Sequence, residues 1–366
     1  MIPICEPSIG EEELANVVEA VRSGWVSSKG NFIIEFEEKF ARYCGVSHGV
    51  ATANGTVALH LALVALGIGA GHEVIVPSLT FIATANAVRY AGAKPVLVDS
   101  HPDYWCLDPA AIERAITPKT KAIIPVHLYG HPCDMEPIAD IAKRHHLYII
   151  EDAAESHGAE YKGRKVGSLS DIACFSFYGN KIITTGEGGM CLSDDEGLVQ
   201  RMRVLRDHGA TPGKPFWHDV VGFNYRMTNL QAALGVAQLQ KIDTFVEKKR
   251  LLATWYGNAL KGPFDRGAIQ PPPEMPWAKS VYWMYTVLVA GSLGIGSGDV
   301  ISRLRDRGIE ARPVFYPVEA MPMYRRPKRS PVAEDLSQRG LSLPSSVNLT
   351  AEQVRYIGEA MGTVLA

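Results

Sequence analysis

The sequence predicts an α/β fold: a mostly parallel sheet covered by helices on both faces, followed by a smaller α+β domain. Three observations carry this. From Val50 to about Asp194, short β-branched runs alternate with segments of helical length. Several of the short runs are apolar nearly throughout, as strands buried on both faces must be. A Pro-rich stretch from Gly262 to Pro276 then marks a boundary before a different arrangement of strands and helices.

The elements follow in order. A helix over Glu11–Ser23, the loop Gly24–Gly30 and a helix over Phe36–Cys44 open the chain. Strands are expected at Gly49–Ala53, Glu73–Pro77, Pro95–Asp99, Ala122–Val126, Tyr148–Asp152, Ile172–Phe177 and Gly189–Ser193. Helices are expected between them at Thr56–Leu66, Phe81–Tyr90, Pro109–Ala115 and Met135–His145. One long helix from Leu230 to Leu260 leads out of this region. Beyond it, Tyr282–Val289 and Ile309–Phe315 read as strands, with helices at Ser297–Arg307 and Ala351–Leu365. A length of 366 residues suits two domains. We expect a large one over residues 1–240, with an N-terminal arm, and a small one over 241–366.

Composition narrows the function classes. Lys plus Arg is 37 and Asp plus Glu is 39, so no basic excess exists for neutralising nucleic-acid phosphates. The six Cys contain no CxxC pair, which fits a reduced cytoplasmic protein rather than a disulfide framework or zinc site. No charged leader followed by an apolar run opens the chain, and the longest uncharged stretch, Tyr43–His72, is broken by His, Gly and Asn. Neither a secretory leader nor a membrane span is expected. His127 and His131 are four apart, but Gly130 and Pro132 break any helix that would align them, so no metal site is expected.

Three places carry chemistry. Asn54-Gly55-Thr56 lies between a strand and a helix, where free N–H groups at the helix start suit a phosphate. It is also what an ordinary capped turn looks like. Glu151-Asp152-Ala153-Ala154-Glu155 brings carboxylates to the carboxyl end of an apolar strand, where open parallel sheets bind ligands. Lys181 follows an aromatic strand and is walled by Ile182 and Ile183, so its ammonium is desolvated and its amine becomes available as a nucleophile. Together, a phosphate nest, a strand-end acid and a reactive lysine are what pyridoxal phosphate requires.

At this point the chain resembles the DegT/StrS sugar-nucleotide aminotransferases, fold-type-I pyridoxal-phosphate enzymes related to aspartate aminotransferase. The resemblance runs through Ser23-Gly24-Trp25, Asn54-Gly55-Thr56, Pro77-Ser78-Leu79-Thr80-Phe81, Glu151-Asp152-Ala153-Ala154 and Phe175-Ser176-Phe177. It continues through Gly186-Glu187-Gly188-Gly189 and Asn224-Tyr225-Arg226-Met227-Thr228-Asn229-Leu230-Gln231-Ala232-Ala233. The wording Phe177–Thr185, with Arg312-Pro313-Val314-Phe315, is most similar to the members that aminate GDP-4-keto-6-deoxymannose at C4.

The resemblance implies that Lys181 binds the cofactor covalently and moves protons, and that Asp152 pairs with its ring nitrogen. It further implies that Phe81 stacks on the ring and that Gly55, Thr56 and Ser176 hold the phosphate. Asn224 would reach the phosphate in a partner subunit, making a homodimer with shared sites. Glu155 stands where many members have Gln and, beside the cofactor's phenolic oxygen, needs a proton or another partner. Members that remove the C3 hydroxyl carry His at the lysine position, and this chain does not. Trp25, Arg226 and Tyr316 are candidate substrate contacts. L-Glutamate is the implied amino donor. A UDP- or dTDP-ketosugar, a 3-keto sugar, an eight-carbon keto-acid sugar, and a non-catalytic binding or regulatory role on the same fold are the competing readings.

Overall fold

The computed structural model describes residues 1–326 and 329–366. Its centre is a seven-stranded sheet in the spatial order His48–Thr52, Gly189–Ser193, Ile172–Ser176, Tyr148–Asp152, Thr120–Ile123, Glu73–Pro77, Lys94–Val98. Gly189–Ser193 pairs antiparallel with both neighbours, and the remaining pairs are parallel. All the other strands therefore point one way, and their carboxyl ends gather along a single edge.

Side-chain alternation explains why these strands are apolar throughout. Ile75, Ile123, Ile149, Ala173 and Phe175 face one core, packed with Phe36 and Phe40 from the helix Asn31–Cys44 and Ile138 from Met135–His145. Val74, Val76, Ala122, Ile150, Ile172 and Cys174 face a second core, closed by Gly55–Ala65 and Ala83–Tyr90. The same alternation sends Glu151 and Asp152 to opposite faces. Glu151 is fully buried and accepts from the Gly167 and Leu169 N–H groups, the Ser170 hydroxyl and His127, so it ties down a loop.

A third core lies in the C-terminal region. Leu252 and Tyr256 of the helix Ile242–Ala259 pack with Val287, Leu341, Ile357 and Met361. A four-stranded antiparallel sheet there has the order Ile269–Gln270, Tyr285–Val289, Gly340–Leu343, Arg312–Pro313. The N-terminal arm lies against this region, because Ile2 bridges Ile309 and the Ser345 N–H donates to the Ile4 carbonyl.

The structure corrects the sequence reading in several places, among them an unexpected strand at Gly340–Leu343 and a second helix that starts at Asn31. The expected Leu230–Leu260 helix is two, Asn229–Gln240 and Ile242–Ala259. They break at Lys241, whose ammonium is held by Glu12 and Glu13 at 2.8 Å. Ile309–Phe315 pairs as a strand only at Arg312–Pro313, since the Glu310 N–H is taken by Ile2 and Pro313 has none to offer. The helix expected from Phe81 starts at Ala83, which leaves Phe81 in a loop. Helices Glu196–Arg206 and Pro331–Arg339 were not expected. Among the described residues no helix is long and apolar enough to cross a membrane.

Candidate active site

The gathered strand ends form the site. Asp152 closes the strand Tyr148–Asp152 on the face of Ala83–Tyr90, and the first turn of that helix supplies the Thr84 hydroxyl, which donates to Asp152 Oδ2 at 2.7 Å. The Ala154 N–H adds a longer bond to Oδ1 at 3.3 Å. Burial raises the Asp152 carboxyl above its ordinary range, and these two donors only partly oppose that. No cationic side chain is in ion-pair contact with it among the described residues. A buried carboxylate arranged this way suits a cationic partner brought by a ligand.

Lys181 lies in the turn after Ile172–Ser176, its N–H donating to the Tyr178 carbonyl at 2.9 Å. Ile182 and Ile183 are buried beside it, as expected. Its Nζ is 3.9 Å from Glu155 Oε1 and 3.8 Å from the centre of the Trp283 ring. Burial lowers the Lys181 ammonium, with Glu155 and Asp152 opposing it. Glu155 is pushed the other way, up to about 7, chiefly by burial, while Lys181 and the Tyr129 N–H pull it back. That N–H donates to Glu155 Oε2 at 2.8 Å. An amine drawn down and a carboxyl drawn up, side by side, have their proton affinities brought closer together, which lowers the cost of passing a proton between them. The sequence reading asks for a proton or another partner at Glu155: the Tyr129 N–H is such a partner, and burial favours the proton.

The candidate anion nest is equally local. Asn54 caps the helix Gly55–Ala65 by accepting from the Val57 N–H, leaving the Gly55 and Thr56 N–H groups without an acceptor among the described residues. A Cβ on Gly55 would lie 2.7 Å from Ser176 Cβ, so only glycine lets this helix start approach the end of Ile172–Ser176. Gly189 has the same constraint against the Asn54 carbonyl, at 2.4 Å. The two glycine positions bring free N–H groups, the helix dipole and the Ser176 hydroxyl to one spot.

The remaining candidates lie further out. Phe81 is over half exposed at the end of Glu73–Pro77, its ring centre 5.8 Å from that of Phe315. Trp25 and Tyr316 are exposed. Arg226 is engaged within its own chain, by Asp207 and His208 and by Asn224 Oδ1 at 2.7 Å. Asn224 is exposed on a segment laid against the nest, where the Ala53 N–H donates to the Tyr225 carbonyl at 2.8 Å. His127 and His131 are buried and hold loops, accepting from the Cys133 and Met275 N–H groups respectively.

Sequence reasoning missed Thr84, Tyr129, Trp283 and His157. Thr84 lies three residues after Phe81, in the first turn of Ala83–Tyr90, and could have been found from that spacing. His157 is fully buried among Phe40, Phe175 and Phe177, neither ring nitrogen has a hydrogen-bond partner among the described residues, and burial presses it down to about 3, which keeps it neutral. Tyr129 and Trp283 are far from Lys181 in sequence, and no local pattern announces them.

The donor set fits pyridoxal phosphate: a nest for its dianion, a buried acid for its ring nitrogen and an amine for its aldehyde. Known proteins agree with that fit. Residues 7–362 match the model of the DegT/DnrJ/EryC1/StrS aminotransferase family. The chain is 49% identical over 366 residues to a GDP-perosamine synthase of Caulobacter vibrioides, covering 100% of this chain and 98% of that one. It is 47% identical to a GDP-perosamine synthase of Escherichia coli O157:H7, covering 98% and 97%. The crystal structure of S. venezuelae DesV superposes with a TM-score of 0.91 at 37% identity, covering 97% of this chain and 94% of that one. A match of this length, with a nest, an acid and an amine drawn from separate segments onto one sheet edge, leaves one conclusion. The chain belongs to the DegT/DnrJ/EryC1/StrS aminotransferase family and is a pyridoxal-phosphate-dependent aminotransferase.

Proposed function

We propose that this enzyme transfers the amino group of L-glutamate to C4 of GDP-4-keto-6-deoxymannose, yielding the 4-amino sugar nucleotide GDP-perosamine. The observation that carries the reading is the full-length identity of 49% and 47% to two GDP-perosamine synthases, joined to a lysine–acid pair suited to proton transfer. When bound, pyridoxal phosphate supplies an electron sink and carries nitrogen between the two half-reactions. Gly55, Thr56 and Ser176 bind its phosphate, Phe81 covers its ring, and Asp152 balances charge at its ring nitrogen, oriented by Thr84. The Lys181 amine takes the α-proton of the donor and later delivers a proton to C4 of the sugar. Burial favours the neutral form of that amine, and Glu155 stores or returns the proton beside it.

The substrate reading is tested on a panel of GDP-, UDP- and dTDP-linked ketosugars with L-glutamate, the products being identified by mass spectrometry and NMR. GDP-4-keto-6-deoxymannose is expected to turn over with kcat/KM at least about tenfold above the others, the discrimination that one or two base-specific contacts provide. Preference for a UDP or dTDP sugar, or amination at C3, would refute it. Absence of turnover throughout the panel would favour a binding or regulatory role.

The proposal includes a homodimer in which Asn224 of each copy reaches the phosphate bound by the other. In support, Asn224 is exposed, and among the described residues only its side-chain oxygen is engaged, with Arg226. Asn224→Asp keeps that acceptor but sets a carboxylate against the phosphate, so the variant homodimer should be poorly active. Pairing a Lys181→Ala chain with an Asn224→Asp chain leaves one site doubly damaged and the other intact, so about half of wild-type activity returns. A mixed dimer as inactive as its parents would mean that Asn224 does not act across the interface.

A further inference from the structure

Lys181 has a neighbour from a distant part of the chain. Trp283 lies just ahead of the strand Tyr285–Val289 and is buried. The Lys181 Nζ lies 3.8 Å from its ring centre. Its indole N–H donates to the carbonyl of Asn180, the residue before Lys181, at 2.7 Å. Its own carbonyl accepts from Lys249 Nζ at 2.9 Å. Lys249 is a buried lysine with no carboxylate in ion-pair contact among the described residues, and it also donates to the Ser345 carbonyl. The Trp283 ring runs nearly parallel to Tyr129, with 12° between planes and 6.2 Å between centres, and the Tyr129 N–H is the one that holds Glu155.

We propose that Trp283 is a positioning residue for Lys181, fixing its backbone through Asn180 and its ammonium through the indole face, with Lys249 as the anchor that holds Trp283 in place. A buried lysine that must take and give protons needs its charged form neither lost nor locked. A carboxylate in tight contact would lock it, and a bare apolar wall would abolish it. An aromatic face lies between these limits, attracting the cation without accepting its proton. Lys249 suits its part because an ammonium can grip two backbone carbonyls at once, which no apolar side chain can do. This inference rests on Lys181 being the reacting amine and is independent of which sugar is aminated.

The test is the titration of Lys181 in the full-length, cofactor-free protein, read as the rate of acetylation of that residue against pH by mass spectrometry. The groups facing its amine are Asp152, Glu155, His157, Cys5 and Lys249, and all remain in place in the Trp283 variants. In Trp283→Leu, loss of the ring removes support for the ammonium, so the labelling midpoint falls by roughly half to one pH unit. Trp283→Phe keeps a weaker face and gives a smaller fall in the same direction. The exposed Lys94 serves as the reference amine within each sample. A purely structural role would lower the melting temperature and leave the midpoint where it was. Should the leucine variant not fold, the phenylalanine variant decides. A midpoint that is unmoved or raised in the folded variants overturns the proposal. A failed sugar panel, by contrast, leaves this titration untouched.

Discussion

Lys181→Ala is expected to abolish transamination while the protein still folds. The loss follows from chemistry, because alanine offers neither an amine to bind the cofactor nor a base to move protons, so turnover should drop by at least about 10³-fold. Folding survives for an electrostatic reason. Lys181 makes no close salt bridge, its nearest carboxylate oxygen being 3.9 Å away. Removing it leaves Glu155, whose carboxyl is already drawn up toward neutrality and can remain protonated without a cation beside it. The variant should therefore melt within a few degrees of wild type. Steady-state assays beside circular dichroism would check both halves, and more than a few per cent of residual activity would sink the assignment.

Asp152→Asn should slow the reaction by about 10² or more, the usual loss when a fixed charge opposite a developing one is removed. An amide cannot balance a protonated ring nitrogen. Cofactor affinity should fall less than the rate, since the Gly55, Thr56 and Ser176 nest is untouched. Stability should move the opposite way. Folding raises the Asp152 pKa, so the folded chain holds that proton more tightly than the unfolded one. The carboxyl thus works against folding as pH rises through its ordinary range toward its raised value, and above that its full cost persists. Asparagine carries no such cost. The cofactor-free variant should then be as stable as wild type at neutral pH, or more so. Near-normal kinetics would mean that another group pairs with the ring nitrogen.

Much of this enzyme is legible in its sequence because much of it is local. Strand alternation, apolar runs and the Asn54 cap are short-range facts, and Glu73–Pro77, Tyr148–Asp152 and Gly189–Ser193 form over the residues that the pattern marks. Lys181, Asp152 and the Gly55 nest each follow a strand, so a rule about strand ends finds them. What the sequence could not give is the company these residues keep. Glu151 and Asp152 are adjacent and equally acidic, yet alternation sends one to bind a loop and the other to the site. Thr84, Tyr129 and Trp283 come from three separate segments and meet Asp152, Glu155 and Lys181, with Lys249 gripping Trp283 from a fourth, only once the sheet and the C-terminal region have packed. Burial sets the protonation of Lys181 and Glu155, and burial belongs to the assembled fold. The sequence determined which chemical groups are present and on which strand ends they stand. The tertiary structure decided their charge, because desolvation depends on every element that closes around them.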